Sequence, residues 1–297
     1  MLDALIWFFS NLFAAFVNFF AAIANPGAWL DWSNAESMMR FIYYGGSVEL
    51  FFVVLLAFLI VFVIGLFSSA FLWRVVIGLE FFANTTGRLF AWAGLLMVLQ
   101  QTLIIFLQRI FAASEISFGA GVSISQDVSW WSDELKLYNA IIVCMCCAYT
   151  FVQGGQVRVD LFYAGVSHRR KRIIDMFGSL FFMVPTALVI WMYSWYFLWR
   201  HLVTPKVSAS DQVDRMIMKA RALRWNVETI GFSANGFSAY FLFKVLMVVF
   251  AGMVLIQGIA FFYRSYLEYR EGEESAGKHL DKDQLGDPDA ELVAEIH

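Results

Sequence analysis

Side chains capable of binding chemistry are scarce in this chain, and most of them sit in one stretch. From Gln153 to Asp175 the sequence reads QGGQVRVDLFYAGVSHRRKRIID, in which Arg158, Arg169, Arg170, Lys171 and Arg172 are set against Asp160 inside the hinge. Grouped cations of this kind hold phosphates or carboxylates. Four of them fall in the first turn of the helix that should follow, where they oppose its macrodipole, so helix stability does not account for them. A bilayer does, because short loops rich in Lys and Arg stay on the cytoplasmic side and reach anionic headgroups. Gly154 and Gly155 are placed to end the preceding helix, Ser167 to cap the next, and Asp175 to pair with Lys171 or Arg172 at helical spacing.

The remaining polar groups in apolar surroundings read as structural. Gln100 and Gln101 are amides inside an apolar run, better suited to bonding a neighbouring helix than to lining a substrate path. Lys244 lies one turn from the outer end of the last apolar run, where a long side chain can snorkel. Cys144, Cys146 and Cys147 share one apolar run without a histidine; Cys144 and Cys147 lie on one helix face, but packing is favoured over a metal or redox site. The histidines, His168, His201, His279 and His297, lie in loops, at a helix end or in the tail, so no pair can ligate a haem across the membrane. There is no G-x-x-x-x-G-K-[ST] phosphate loop. The sequence therefore points to no catalytic residue, no metal and no cofactor.

The elements that carry these groups are membrane helices. The 297 residues are 60% hydrophobic and 15% charged, with a mean hydropathy of +0.66, far from the composition of soluble domains. The fold class expected is an all-α integral membrane protein with about six transmembrane helices: 2–24, 49–73, 88–111, 135–153, 173–199 and 240–263. The first is read as a retained helix, since Asp3 and the lack of Lys or Arg before it give the wrong sign for a secretory signal. Residues 25–47 read as a turn-rich aromatic connection, and the acidic stretch 112–134 as an external loop. Pro185 predicts a kink in the fifth crossing. In the long connection 200–239, Val213, Met216, Ile217, Ala220 and Leu223 approach helical spacing, which predicts an amphipathic helix lying on the membrane or on a partner. Beyond Arg264 the acidic, glycine-containing tail reads as a mobile cytoplasmic extension. The net charge of −3 is not concentrated into any basic face, so no nucleic-acid partner is expected.

One resemblance covers roughly residues 87–264. Val157, Arg158, Val159 and Asp160, followed by Phe162 and Tyr163, the basic cluster, Asp175, Gly178 and Pro185, resemble the small membrane (Q-type) subunit of tripartite ATP-independent periplasmic (TRAP) transporters. Gly87, Arg88 and Trp92 upstream, and Ser194, Trp195, Glu228, Asn235, Lys244 and Gln257 downstream, resemble further landmarks of that family. Gln156 departs from the family's usual histidine, and about 80 residues precede the match. The resemblance implies a three-part division: a two-helix extension over 1–86, a four-helix unit over 87–264, and the tail over 265–297. It also implies partners, namely a large permease subunit that carries the solute and ion sites and a periplasmic solute-binding protein, with membrane lipids around them. The inferred location is the bacterial inner membrane, with both termini cytoplasmic. Arg158 is expected to meet phosphates or a carboxylate, and Asp160 a donor on the large subunit. The alternatives are a structural or assembly subunit of another membrane complex and, more remotely, an autonomous carrier. Against the latter, no deep acid, inverted repeat or pair of discontinuous glycine-rich helices stands out.

Overall fold

In hydrocarbon, backbone N–H and C=O groups find no water, so apolar runs of this length are confined to helices. The computed structural model describes residues 2–118, 124–155, 165–229 and 236–283. The helices are α1 (Leu2–Ala24), α2 (Gly27–Leu30), α3 (Ala35–Tyr44), α4 (Val48–Phe67), α5 (Ser69–Ile110), α6 (Val128–Val152), α7 (His168–Gly178), α8 (Val184–Leu202), α9 (Val213–Ala220) and α10 (Phe241–Glu271). A π turn at Ser179–Met183 joins α7 to α8. Two antiparallel ladders complete the set: β1 (Glu115–Phe118) with β2 (Ile124–Asp127), and β3 (Val203–Thr204) with β4 (Arg224–Trp225). Among the described residues six helical segments, with α7 to α8 as one, are long and apolar enough to span a membrane. The chain is an all-α multi-pass membrane protein.

Several boundaries differ from the expected ones for local reasons. The second crossing ends at Phe67, not Trp73: Ser68 adopts an extended conformation and its Oγ accepts from Phe71 N at 3.3 Å, starting a new helix. That helix, α5, runs unbroken for 42 residues, about 63 Å at 1.5 Å per residue, roughly twice the thickness of a hydrocarbon core. Residues 25–47 are not merely a connection, because α3 buries Met38, Met39 and Ile42. The expected external loop contains the β1–β2 hairpin, and α6 begins seven residues early behind Asp127, whose Oδ1 accepts from Ser129 N at 2.7 Å. Gly154, at φ +80°, ends α6 as the sequence predicts. Ser167 stands at the N-cap of α7 but its side chain makes no capping bond there. The π turn directly precedes Pro185, which lacks the N–H that a regular helix would require.

The helices interlock through close approaches. Where α5 meets α6, a Cβ on Gly87 would lie 2.1 Å from that of Tyr149, so only glycine allows the contact. Phe58, Leu72, Trp73, Val76, Phe262, Tyr263 and Leu267 form a buried cluster joining α4, α5 and α10. A second joins α3, the end of α8 and α9 around Met39, Ile42, Trp199 and Met216. The amphipathic helix thus turns its apolar face onto its own chain, with Met216 and Ala220 buried against α3 and the end of α8.

Candidate functional site

Where α5 and α7 begin and α10 finishes, five charged side chains form a connected line. Glu80 on α5 receives a two-pronged bond from Arg264 on α10, Nε to Oε1 at 2.6 Å and Nη2 to Oε2 at 2.5 Å. Glu268, one turn further along α10, lies 3.6 Å from Arg264 and 2.7 Å from Arg172 Nε on α7. The latter approach is an ion pair without hydrogen-bond alignment. Arg172 then donates to Asp175 at 3.0 Å, as the helical spacing predicts. Glu80, Arg264 and Glu268 are 4%, 6% and 2% exposed, so each charge depends on its neighbours in place of water. Trp73 flanks the line, its ring centroid 5.3 Å from the Arg264 guanidinium, and its Nε1 donates to Glu271 at 2.8 Å. Of these, only Asp175 and Arg172 stood out in the sequence.

Beside this line the chain folds back on itself. Past Gly272, residues as far as Asp283 return to the start of the α5–α6 pair, so the expected mobile extension does not describe residues 265–283. Arg88 donates to Asp281 at 2.9 and 3.0 Å and to Asp283 at 2.9 and 2.6 Å. Asn84 and Gln153 donate to the Asp281 carbonyl at 2.8 and 3.0 Å, and the Tyr149 hydroxyl donates to Asp283. The Arg88 guanidinium, with Asn84, holds the Asp281 carboxyl below its ordinary range; Tyr149, with Arg88, does the same for Asp283.

These depressed values give the clasp a pH dependence. A carboxyl whose folded pKa lies below its unfolded value contributes stability above the unfolded value, about 4, and loses it as pH falls through the folded one. The Asp283 N–H, bonded to Gln153 at 2.9 Å, reports on this state. Its hydrogen-exchange protection, corrected for intrinsic exchange rates, is expected to be full at pH 7 and to fall progressively as the pH drops below about 4. Arg88→Gln should lower protection at pH 7 and flatten its pH dependence; an acid-stable clasp would contradict this account.

At the opposite end, Gln100 bonds α6 as expected, donating to the Trp131 carbonyl at 3.2 Å and to Glu134 at 3.0 Å. Gln101 is exposed and does not share that packing face. Lys244 departs from the snorkelling expectation: it is 5% exposed, with Nζ 3.2 Å above the Phe197 ring centroid. Glu228 accepts from Lys206 at 2.6 Å and pairs with His201 at 3.2 Å, and the Lys206 ammonium holds its carboxyl below the ordinary range. Cys146 is buried, its Sγ 3.4 Å from the Gly87 carbonyl. Arg158 and Asp160 lie outside the described residues.

The features add up to cross-bracing of helices. Residues 118–222, from the hairpin through α9, match the family model described as "Tripartite ATP-independent periplasmic transporters, DctQ component". No curated protein matches the chain, and no solved structure does. Over residues 118–222 the chain is therefore similar to the small, Q-type membrane component of the TRAP transporters.

Proposed function

We propose that the chain is the fixed membrane scaffold of its transporter. It would support ion-gradient-driven import of a small, organic-acid-type solute by a large permease subunit, to which a periplasmic binding protein delivers solute. The family match carries this reading, and the internal bracing supports it. A support for moving elements must itself resist deformation, and here buried side chains tie α10 to three other segments. Arg264 reaches Glu80 of α5, Tyr263 donates to the Phe58 carbonyl of α4 at 2.8 Å, and Ser179 of the π turn donates to the Gly258 carbonyl at 2.5 Å. The division into an extension (1–86), a four-helix unit (87–264) and a tail (265–297) is retained as a description of the family-like part and its additions.

The reading is tested by reconstitution. Proteoliposomes holding this chain alone should be inert, and adding the permease and binding protein should start solute uptake driven by an ion gradient without ATP. Uptake by the chain alone would overturn it. Within the same assembly, Asp160→Asn should weaken copurification of the permease while leaving insertion intact, since Arg169, Arg170, Lys171 and Arg172 still set orientation.

In the proposed orientation both termini and the 153–175 hinge are cytoplasmic, in keeping with the exposed Arg169 and Arg170 at the start of α7. A cysteine at Ser167 should then escape an impermeant reagent added outside the cell, and its labelling from that side would reverse the orientation.

A further inference from the structure

A groove of about 520 Å³ opens between α1, α3 and the first turn of α4. Its walls are mainly apolar and aromatic, including Phe19, Val53 and Trp195. Arg40 from α3 and Glu49 from α4 also line it. Among the described residues neither takes part in an ion pair or hydrogen bond, with each other or with any other group. Both are half-buried. A cation and an anion held at the edge of an apolar groove, unpaired, lose hydration without gaining a partner. That arrangement is favourable only when an occupant brings the opposite charges.

The surroundings identify the occupant's other half. Only Ala15 of α1 is buried, and Phe13, Phe16, Phe20 and Ile23 are exposed. A helix of spanning length with this surface lies against acyl chains. The groove is therefore open to lipid, and it matches an amphiphile with an apolar tail and a head of two opposite charges.

We infer that this groove binds one zwitterionic glycerophospholipid with a primary-amine headgroup. Its phosphate would pair with Arg40, its ammonium would donate to Glu49, and an acyl chain would lie along Phe19 and Val53. A guanidinium offers forked donors to phosphate, and a carboxylate accepts the N–H bonds of a primary ammonium. A purely anionic head would place its charge near Glu49 with nothing to satisfy that carboxylate. A choline head has no N–H to give it.

The inference does not depend on the transporter reading, because Arg40 and Glu49, which carry it, lie before the family match, and the matched segment contributes only Trp195 and Val213 to the walls. The test uses the full chain, delipidated and supplied separately with phosphatidylethanolamine, phosphatidylglycerol and phosphatidylcholine. Retention is read by native mass spectrometry. Phosphatidylethanolamine should be retained best. Glu49→Gln should reduce its advantage over phosphatidylcholine about tenfold, the scale of one lost charge-assisted hydrogen bond. Arg40→Gln should weaken both lipids alike, and Val53→Trp, which fills the groove, should abolish retention of either. Glu36→Gln, on α3 but away from the groove, should change nothing. Equal retention of the three lipids would overturn the inference. So would an undiminished amine preference in the Glu49→Gln protein. Choline binding as tight as amine binding would assign the headgroup to the aromatic walls instead and overturn the role of Glu49.

Discussion

Arg264→Met is expected to destabilise the protein by about 3–5 kcal/mol, the cost of breaking a buried ion pair by removing one partner. Thermal unfolding in detergent or nanodiscs would measure it. The size follows from what is left behind. Without Arg264, Glu80 loses its one ion pair among the described residues, and Glu268 must share Arg172 with Asp175. Glu80→Gln should be milder, because Arg264 still has Glu268 at 3.6 Å and the Lys278 carbonyl at 2.8 Å. The double variant, Glu80→Gln with Arg264→Met, should recover much of the loss, since it removes both charges and leaves a neutral contact. If the two single changes simply add, the pair is not coupled and the line of charges is not a brace.

This brace also shows where the sequence was legible and where it was not. Spanning helices were readable because length and apolarity alone force them, and Arg172–Asp175 because three residues on a helix bring two side chains together. Glu80 and Arg264 are 184 residues apart, and no local pattern announces a partner at that distance. The spacing of Arg264 and Glu268 was a usable signal for a continuing helix, yet the charges beyond Tyr263 read more naturally as a tail. Ser68 breaks a helix without glycine or proline, so an apolar run reads straight through it. The α9 pattern was correct, but periodicity reports an apolar face without naming what covers it. The same ambiguity hid Lys244: one turn inside a helix end, a lysine can reach outward to water or lie over an aromatic ring. Phe197, which decides the matter, comes from another helix.

Gly45→Ala is expected to cost about 1–3 kcal/mol by overpacking, with about 1 kcal/mol more if the nearby tryptophan loses its hydrogen bond. Gly45 closes α3 at φ −73°, ψ −9°, a conformation alanine adopts without strain, so the obstacle is purely steric. An added Cβ would lie 2.3 Å from two atoms of the Trp195 ring. That ring is not free to retreat, because Trp195 Nε1 donates to the Ile42 carbonyl at 2.7 Å, and neighbouring Trp191 donates to the Gly45 carbonyl at 2.8 Å. Gly78→Ala provides the opposing control. Gly78 lies inside α5 with nothing within 4 Å of its built Cβ, and alanine there should stabilise by about 0.4–1 kcal/mol. Trp195→Phe in the Gly45→Ala background should relieve part of the clash, so the two changes should cost less together than their sum. The contact matters beyond stability because Gly45 precedes the family-matched segment and Trp195 lies within it. Unfolding of Gly45→Ala should therefore begin with release of residues 25–47, detected as faster proteolysis there at temperatures where α5, α6 and α10 remain intact. A Gly45→Ala protein as stable as the parent would mean that the N-terminal helices are held to the family unit by other contacts.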